Sequence, residues 1–176
     1  MKKQIRQGVF ETNSSSIHAI AIATDTKYPL PDIIEFRFGD FGWEFDKLTS
    51  RKERANYLYT CLAYVDKDKL KEYLQFISTT LKSHGISVYF EDFRLRPFTW
   101  YTDDKVEFYL EPANDAYVDH GDEAREFVEA VCSDEKLLLD YLFSDKSYVL
   151  TGNDNDDRDV TIINEDYPHL EFYKGN

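Results

Sequence analysis

The chain has 176 residues, a formal net charge of −13, and thirteen Tyr, thirteen Phe and two Trp. This length suits one domain over residues 1–176, and the aromatic content excludes a chain that is disordered over most of its length. Residues 1–102 carry 15 Lys and Arg against 13 Asp and Glu, whereas residues 103–176 carry 6 against 21. Because nucleic-acid backbones bind cationic surfaces, we expect no direct binding of DNA or RNA.

Cysteine usage and hydropathy predict a cytoplasmic protein without membrane contact. Cys61 and Cys132 are isolated and show no CxxC spacing, which indicates buried reduced thiols rather than a zinc site or a disulfide scaffold. Polar residues follow Met1-Lys2-Lys3 at once, and no stretch approaches the ~20 apolar residues that a membrane span needs. The sequence identifies no cofactor.

The first 24 residues predict a polar segment followed by a buried strand. Residues 6–18, with the sequence RQGVFETNSSSIH, are called here the N-terminal motif. After a short extended segment at 9–10, residues 17–24 predict a strand that is apolar on both faces, and such a strand belongs inside a covered sheet. Because side chains alternate along a strand, Ser14, Ser16 and His18 are expected to share one side.

The remaining elements come in blocks without βαβ alternation. Residues 33–38 predict a strand, and residues 39–43 then place two glycines among aromatics, as in a segment that packs over the core or lines a pocket. Ser50 and Glu53 have the spacing of a capping box, which predicts a helix. The next helix starts after Asp66 and ends at His84-Gly85. Further helices are predicted at 123–132 and 134–143, and strands at 86–90, 98–101, 105–110, 147–150, 160–163 and 170–173.

This pattern predicts an α+β fold, with a mixed or antiparallel sheet and about four helices in a single domain. Polar side chains then gather in three stretches that could carry chemistry: the N-terminal motif, residues 117–123 and residues 151–159.

The N-terminal motif supports two kinds of site and one structural alternative. Its hydroxyls and amide can cradle a phosphate or ribose, with Arg6 supplying positive charge. In a catalytic interpretation, His18 is the acid or base, Glu11 its orienting carboxylate and Ser16 a hydroxyl contact. In the structural alternative, Asn13 and the serines cap a turn and His18 is a hydrogen-bonded residue at a strand start. No glycine-rich phosphate loop accompanies the motif.

The acidic stretch 151–159 is best explained as a solvated turn between two strands, with a site loop or a loose cation site as the alternatives. A calcium loop that began at Asp154 would have Arg158 at its fifth position and Asp159 where the sharp turn needs Gly. An EF-hand is therefore not predicted.

The stretch 117–123 contains His120 between carboxylates, where it could be a metal ligand or a general base, and the neighbouring acids would favour its charged form. Because it offers a single imidazole, no metal site is predicted. Asp122 is interpreted as the N-cap of the helix that follows.

Four stretches of the chain resemble a group of uncharacterised proteins from bacteriophages and mobile elements of Gram-positive bacteria. These stretches are the N-terminal motif, the aromatic segment 38–43, the Tyr-Leu-Tyr-Thr helix segment at 57–60 and the Thr-Gly-Asn-Asp-Asn stretch at 151–155. The resemblance spans most of the chain and implies a phage-type protein of the host cytoplasm, without an established activity. The joint occurrence of the stretches implies one shared pocket, with candidate ligand-binding residues Arg6, Thr12, Asn13, Ser14, Ser15, Trp43, Asn153 and Asp154.

The main functional hypothesis is a pocket for a small nucleotide-like or phosphate-bearing ligand, with turnover of that ligand left open. The alternative is an acidic interaction protein, such as a nucleic-acid mimic or anti-CRISPR inhibitor, that blocks a basic host defence factor through residues 103–159. A third hypothesis, a virion or assembly component, predicts stable oligomers.

Overall fold

The computed structural model describes residues 16–24, 27–42, 44–101, 106–112, 116–119, 121–153 and 168–174. These residues form α-helices and β-strands around one main hydrophobic core, with a smaller cluster on the other side of the first strand. The predicted α+β class with about four helices is confirmed. The strand segments predicted at 9–10 and 160–163 lie outside the described residues.

The helices are α1 (Arg51–Cys61), α2 (Lys67–Ser83), α3 (Arg125–Val131) and α4 (Glu135–Phe143). The strands are β1 (His18–Ala23), β2 (Ile33–Phe36), β3 (Asp40–Phe41), β4 (Lys47–Leu48), β5 (Ser87–Phe90), β6 (Leu95–Tyr101), β7 (Val106–Pro112), β8 (Tyr117–Val118), β9 (Tyr148–Leu150) and β10 (His169–Lys174). Short 3₁₀ turns precede α2 and α3.

β1 is an interior strand of a four-stranded antiparallel sheet with the order β10-β1-β9-β4. Ile20 and Ile22 point into the main core, whereas Ala19 and Ala21 pack against Tyr148 on the opposite face. All six residues of β1 are at most 1% exposed. The prediction from the two apolar faces, a strand inside a covered sheet, is therefore confirmed.

α1 is the central helix of the fold. Its predicted capping box is present: the Glu53 amide donates to Ser50 Oγ at 3.2 Å, and the Ser50 amide donates to Glu53 Oε2 at 2.8 Å. The helix contacts β2, β8 and α4 and is buried on most of its circumference, as expected of a helix in the middle of a core. Its aromatic residues Tyr57 and Tyr59 are fully buried.

α2 begins and ends close to the predicted residues. Asp66 occupies the N-cap position, although its side chain makes no capping hydrogen bond. After the C-cap at His84, Gly85 adopts φ +77°, a left-handed conformation that glycine accommodates without the steric cost of a Cβ. The chain then enters β5, which pairs in parallel with β2.

Several details differ from the sequence predictions. Asp122 is not the N-cap of α3: it lies in the preceding 3₁₀ turn, and Ala124 takes the N-cap position. The strand predicted at 98–101 begins earlier, at Leu95, and includes Pro97 in a hairpin with β7. The two-residue strands β3, β4 and β8 were not predicted, because such short segments carry no periodic signal and depend on the neighbours they pair with.

A buried arginine joins α1 to the C-terminal end of α4. Arg54 is 2% exposed. Its Nη2 donates to the carbonyls of Leu142 and Ser144 at 2.9 and 2.8 Å, and its Nη1 donates to the carbonyls of Ser147, at 2.6 Å, and Thr49. Carbonyls at a helix C-terminus lack intrahelical donors, so the guanidinium caps α4 from inside the protein.

The pKa of Arg54 is lowered, chiefly because burial disfavours its charged form. The two cysteines are buried free thiols. Within the described ranges, no helix combines the length and the apolar character needed to cross a membrane.

Candidate functional site

His18, the last residue of the N-terminal motif, lies in the interior with no exposed surface. The alternation of β1 places its side chain on the same face as Ile20, towards α1. Its Nδ1 lies 2.9 Å from the Tyr57 hydroxyl, and its Nε2 lies 3.2 Å from the Gly42 carbonyl oxygen. Because a carbonyl oxygen only accepts, Nε2 carries a proton.

The Tyr57 hydroxyl can satisfy either protonation state of His18. It donates to Nδ1 of a neutral ring and accepts from Nδ1 of a charged ring. Burial raises the pKa of Tyr57 well above its usual value, with smaller contributions from Cys61 and Tyr141, so the phenol keeps its proton. Both ring nitrogens of His18 are thus engaged by protein atoms, and a ligand would reach either nitrogen only by displacing one of these partners.

Ser16 connects the motif to two other parts of the chain. It forms an isolated antiparallel bridge with Asn153, and the Ile17 amide donates to the Gly152 carbonyl at 2.9 Å. The Ser16 hydroxyl donates to the Asp119 carbonyl at 3.2 Å and is fully buried. Two of the stretches singled out from the sequence, the N-terminal motif and residues 151–159, therefore meet at their described ends.

We call this meeting point the junction and define it by four contacts between segments that are distant in sequence. The contacts are Ser16 with Asn153, Ile17 with Gly152, Ser16 with Asp119, and His18 with Gly42. The chain neighbours of these residues include Ser15, Trp43 and Asp154, which are candidate ligand-binding residues of the sequence analysis. All three stretches singled out from the sequence, together with the aromatic segment, thus have a residue at the junction.

β3 and β8 form the outer wall of the junction. They pair in parallel, with Asp40 opposite Tyr117 and Phe41 opposite Val118. The Gly42 backbone lies close to the Tyr117 hydroxyl, since a Cβ at residue 42 would come within 2.4 Å of that oxygen. A larger residue at position 42 would therefore displace the Tyr117 ring.

The electrostatic surroundings of this wall are negative. Burial is the largest cause of the raised pKa of Tyr117, and the carboxylates of Asp40, Asp119 and Glu44 raise it further. Three carboxylates thus act on one phenol at the edge of the junction. An anionic ligand placed here would need a compensating cation.

Three of the predicted site residues, Ser16, His18 and Asn153, lie in the described part of the chain, and the structure brings all three to the junction. The other predicted site residues lie outside the described residues: Arg6, Glu11, Thr12, Asn13, Ser14, Ser15, Trp43 and Asp154. His120 is also outside them.

Sequence reasoning missed the role of Tyr57 and of the Asp119 carbonyl. Tyr57 falls in the apolar stripe of α1, where a tyrosine is expected as core, and nothing in the sequence links it to His18 across 39 positions. A backbone carbonyl has no sequence signature, so the Asp119 contact could not have been found.

A search of the described residues finds no group of three or more His, Cys, Asp or Glu side chains that could hold a metal ion. No protein-family model, no curated protein and no solved structure matches the chain.

Replacing Tyr57 with Phe tests the hydrogen bond at the centre of the junction. The Y57F variant keeps the ring but leaves His18 Nδ1 without the hydroxyl 2.9 Å away. We expect a loss of about 1–3 kcal/mol in the free energy of unfolding, measured by urea denaturation, because a buried polar atom loses its partner. Tyr89→Phe, at a residue 46% exposed, is the control and should change stability by less than about 0.5 kcal/mol. Equal stability of Y57F and the parent would contradict the bond.

Proposed function

We propose that the junction is the base of a binding site for a small phosphate-bearing or nucleotide-like ligand. In this proposal the N-terminal motif, Trp43 and the Asn153-Asp154 pair surround the ligand. Ser16 and His18 hold the site in place from beneath, as positioning residues. The protein acts in the cytoplasm, and the proposal concerns binding rather than a reaction.

The observation that carries the proposal is the Ser16–Asn153 bridge. It joins two polar stretches that are 137 positions apart, while the His18–Gly42 contact brings in the aromatic segment. Polar segments that serve only as surface turns are not expected to contact one another. A ligand site, in contrast, combines side chains from separate loops that a rigid scaffold holds together. The buried strand β1 supplies that scaffold.

The carboxylates around Tyr117 decide which residue must recognise the phosphate. Asp40, Glu44 and Asp119 oppose an anion near the β3–β8 wall. Arg6 is the only cation of the N-terminal motif. A guanidinium binds phosphate oxygens through two parallel hydrogen bonds, so we assign the phosphate contact to Arg6.

The test measures binding of inorganic phosphate, AMP and ATP to the full chain by NMR titration. We expect Arg6→Gln to weaken binding of the phosphate-bearing probe at least tenfold, because a charge-assisted contact is lost. Asn153→Ala should weaken it as well. Arg94→Gln is the matched control, because Arg94 is exposed and paired with Asp92, and it should leave binding unchanged.

Two results would contradict the proposal. One is the absence of saturable binding by all three probes. The other is equal binding by the R6Q and R94Q variants, which would place any phosphate contact away from the motif.

The alternative function is that of an acidic interaction protein, and the distribution of charge favours it. Residues 103–176 carry 21 acidic against 6 basic side chains. Exposed carboxylates among them include Glu123, Glu126 and Asp145. Such a surface suits a basic partner, such as a nucleic-acid-binding host factor blocked by a phage-type protein.

Neutralising these acids separates the two functions. If the protein is an interaction protein, the parent should bind a basic nucleic-acid-binding protein in a salt-sensitive way. The triple variant E123Q/E126Q/D145N should then no longer bind it. If the protein is a ligand-binding protein, the same variant should bind phosphate probes as the parent does.

A further inference from the structure

A small cavity lies between the start of α2 and α3, and its lining includes none of the junction residues. Its volume is about 70 Å³. Its inner wall is formed by Tyr64, Val65 and Tyr73, which are buried or half-buried. Its rim is formed by four exposed charged residues, Asp66, Lys69, Arg125 and Glu129.

The wall of the cavity is held in place by backbone contacts. Tyr64 Oη accepts a hydrogen bond from the Val118 amide at 3.2 Å. The backbone of Gly121 lies against the Tyr64 ring so closely that a Cβ there would come within 2.4 Å of ring carbons. The ring is therefore held at both its hydroxyl and its edge, which gives the cavity one fixed wall.

One pair of rim charges is already neutralised by the protein. Lys69 Nζ lies 3.6 Å from Glu129 Oε1. Glu129 is the largest cause of the raised pKa of Lys69, and Tyr73 adds a smaller contribution that includes a hydrogen bond. These two charges therefore already neutralise each other.

The other two rim charges, on Asp66 and Arg125, have no such partner in the part of the chain that the structure describes. Among the described residues, Arg125 forms no ion pair or side-chain hydrogen bond, and the Asp66 carboxylate makes no capping bond to α2. One cation and one anion without a partner among the described residues thus border the same cavity. A ligand with a single charge would be attracted by one of these two residues and repelled by the other.

We propose that this cavity binds a small zwitterion with one ammonium and one carboxylate group, the class of glycine and alanine. The carboxylate faces the Arg125 guanidinium, and the ammonium faces the Asp66 carboxylate. A volume of 70 Å³ is about twice the roughly 30 Å³ that one water occupies in the liquid, so only the smallest members of this class fit the cavity. The exposed rim makes the affinity weak, with a Kd on the order of 1 mM.

The test titrates the nitrogen-labelled full chain, followed by NMR, with three probes of nearly equal size that differ in charge. L-alanine carries both groups, L-lactate carries only the carboxylate, and L-alanine amide carries only the ammonium. We expect L-alanine to produce saturable amide shifts around the cavity, and each single-charge probe to bind at least tenfold more weakly.

Variants at the rim assign the two charges. Arg125→Gln and Asp66→Asn should each weaken alanine binding at least fivefold. Both residues are exposed, and Asn is as good an N-cap as Asp, so the fold is kept. Lys71→Gln on α2 and Glu126→Gln on α3 are matched controls, because both are exposed and outside the cavity, and they should bind alanine as the parent does.

Three results would overturn the proposal. The first is no saturable shift with alanine up to about 100 mM, roughly a hundredfold above the expected Kd. The second is equal affinity for L-lactate, which would make the cavity a simple anion site. The third is unchanged alanine binding by the R125Q and D66N variants, which would place alanine elsewhere.

Discussion

Replacing Arg54 with Met is expected to lower the free energy of unfolding by about 3–5 kcal/mol, a large part of the stability of an ordinary domain. The guanidinium is 2% exposed and donates to four carbonyls, two of them at the end of α4. Methionine approximates the volume of the side chain stem but donates no hydrogen bond. The buried carbonyls of Leu142, Ser144 and Ser147 would then lose their donor.

Urea denaturation at neutral pH measures this effect, with Lys52→Met as the control. Lys52 is two positions earlier in the same helix and exposed, so its replacement should change stability by less than about 0.5 kcal/mol. Arg54→Lys separates charge from geometry. A lysine keeps the charge but lacks the planar fork that reaches both sets of carbonyls, so we expect it to remain destabilised. If R54M were as stable as K52M, the capping role of Arg54 would be wrong.

Replacing His18 with Ala is expected to cost about 2–5 kcal/mol. The imidazole has no exposed surface and bonds to the Tyr57 hydroxyl and the Gly42 carbonyl at 2.9 and 3.2 Å. Alanine would leave a cavity next to α1 and two buried polar groups without the ring that now satisfies them. Thermal and urea denaturation should both report this loss.

His84 provides the control for this prediction. It is exposed and its Nε2 lies 2.9 Å from Glu135 Oε1, a surface pair whose removal should cost less than about 1 kcal/mol. A stable H18A variant, within the error of H84A, would refute the buried hydrogen-bonded state of His18. Because H18A is expected to damage the fold, Arg6 and Asn153 are better positions than His18 for testing ligand binding.

The regular elements of the fold were predictable where local signals are strong. The two apolar faces of residues 17–24 required burial on both sides, and β1 is interior. Ser50 and Glu53 start α1 through local hydrogen bonds that depend on a spacing of three residues. Gly85 ends α2 because glycine readily adopts the left-handed conformation that terminates a helix, and this preference belongs to the residue itself.

The candidate site was predictable only as a set of segments. The sequence singled out the N-terminal motif, the aromatic segment and residues 151–159 by their composition. It could not indicate that Ser16 bridges Asn153 or that His18 bonds to Tyr57, because these pairs are 137 and 39 positions apart and each depends on how whole elements pack.

Arg54 shows the same limit in the core. In the sequence it follows Arg51, Lys52 and Glu53 and has the composition of a solvent-exposed helix start. The structure buries it because the end of α4 presents unpaired carbonyls to this position of α1, and only the packing of the two helices creates that need.

The sequence by itself determined the α+β class, the central strand, and the capped start of α1 and end of α2. The fold class and the central strand follow from hydrophobic periodicity. The two helix ends follow from interactions between residues a few positions apart, which do not depend on the rest of the fold. The tertiary structure alone decided that His18 faces Tyr57, that Arg54 is inside, and that Asp66 and Arg125 border one cavity. These contacts join residues that are far apart in the sequence. They form only when the elements between those residues have packed, so no local sequence pattern indicates them.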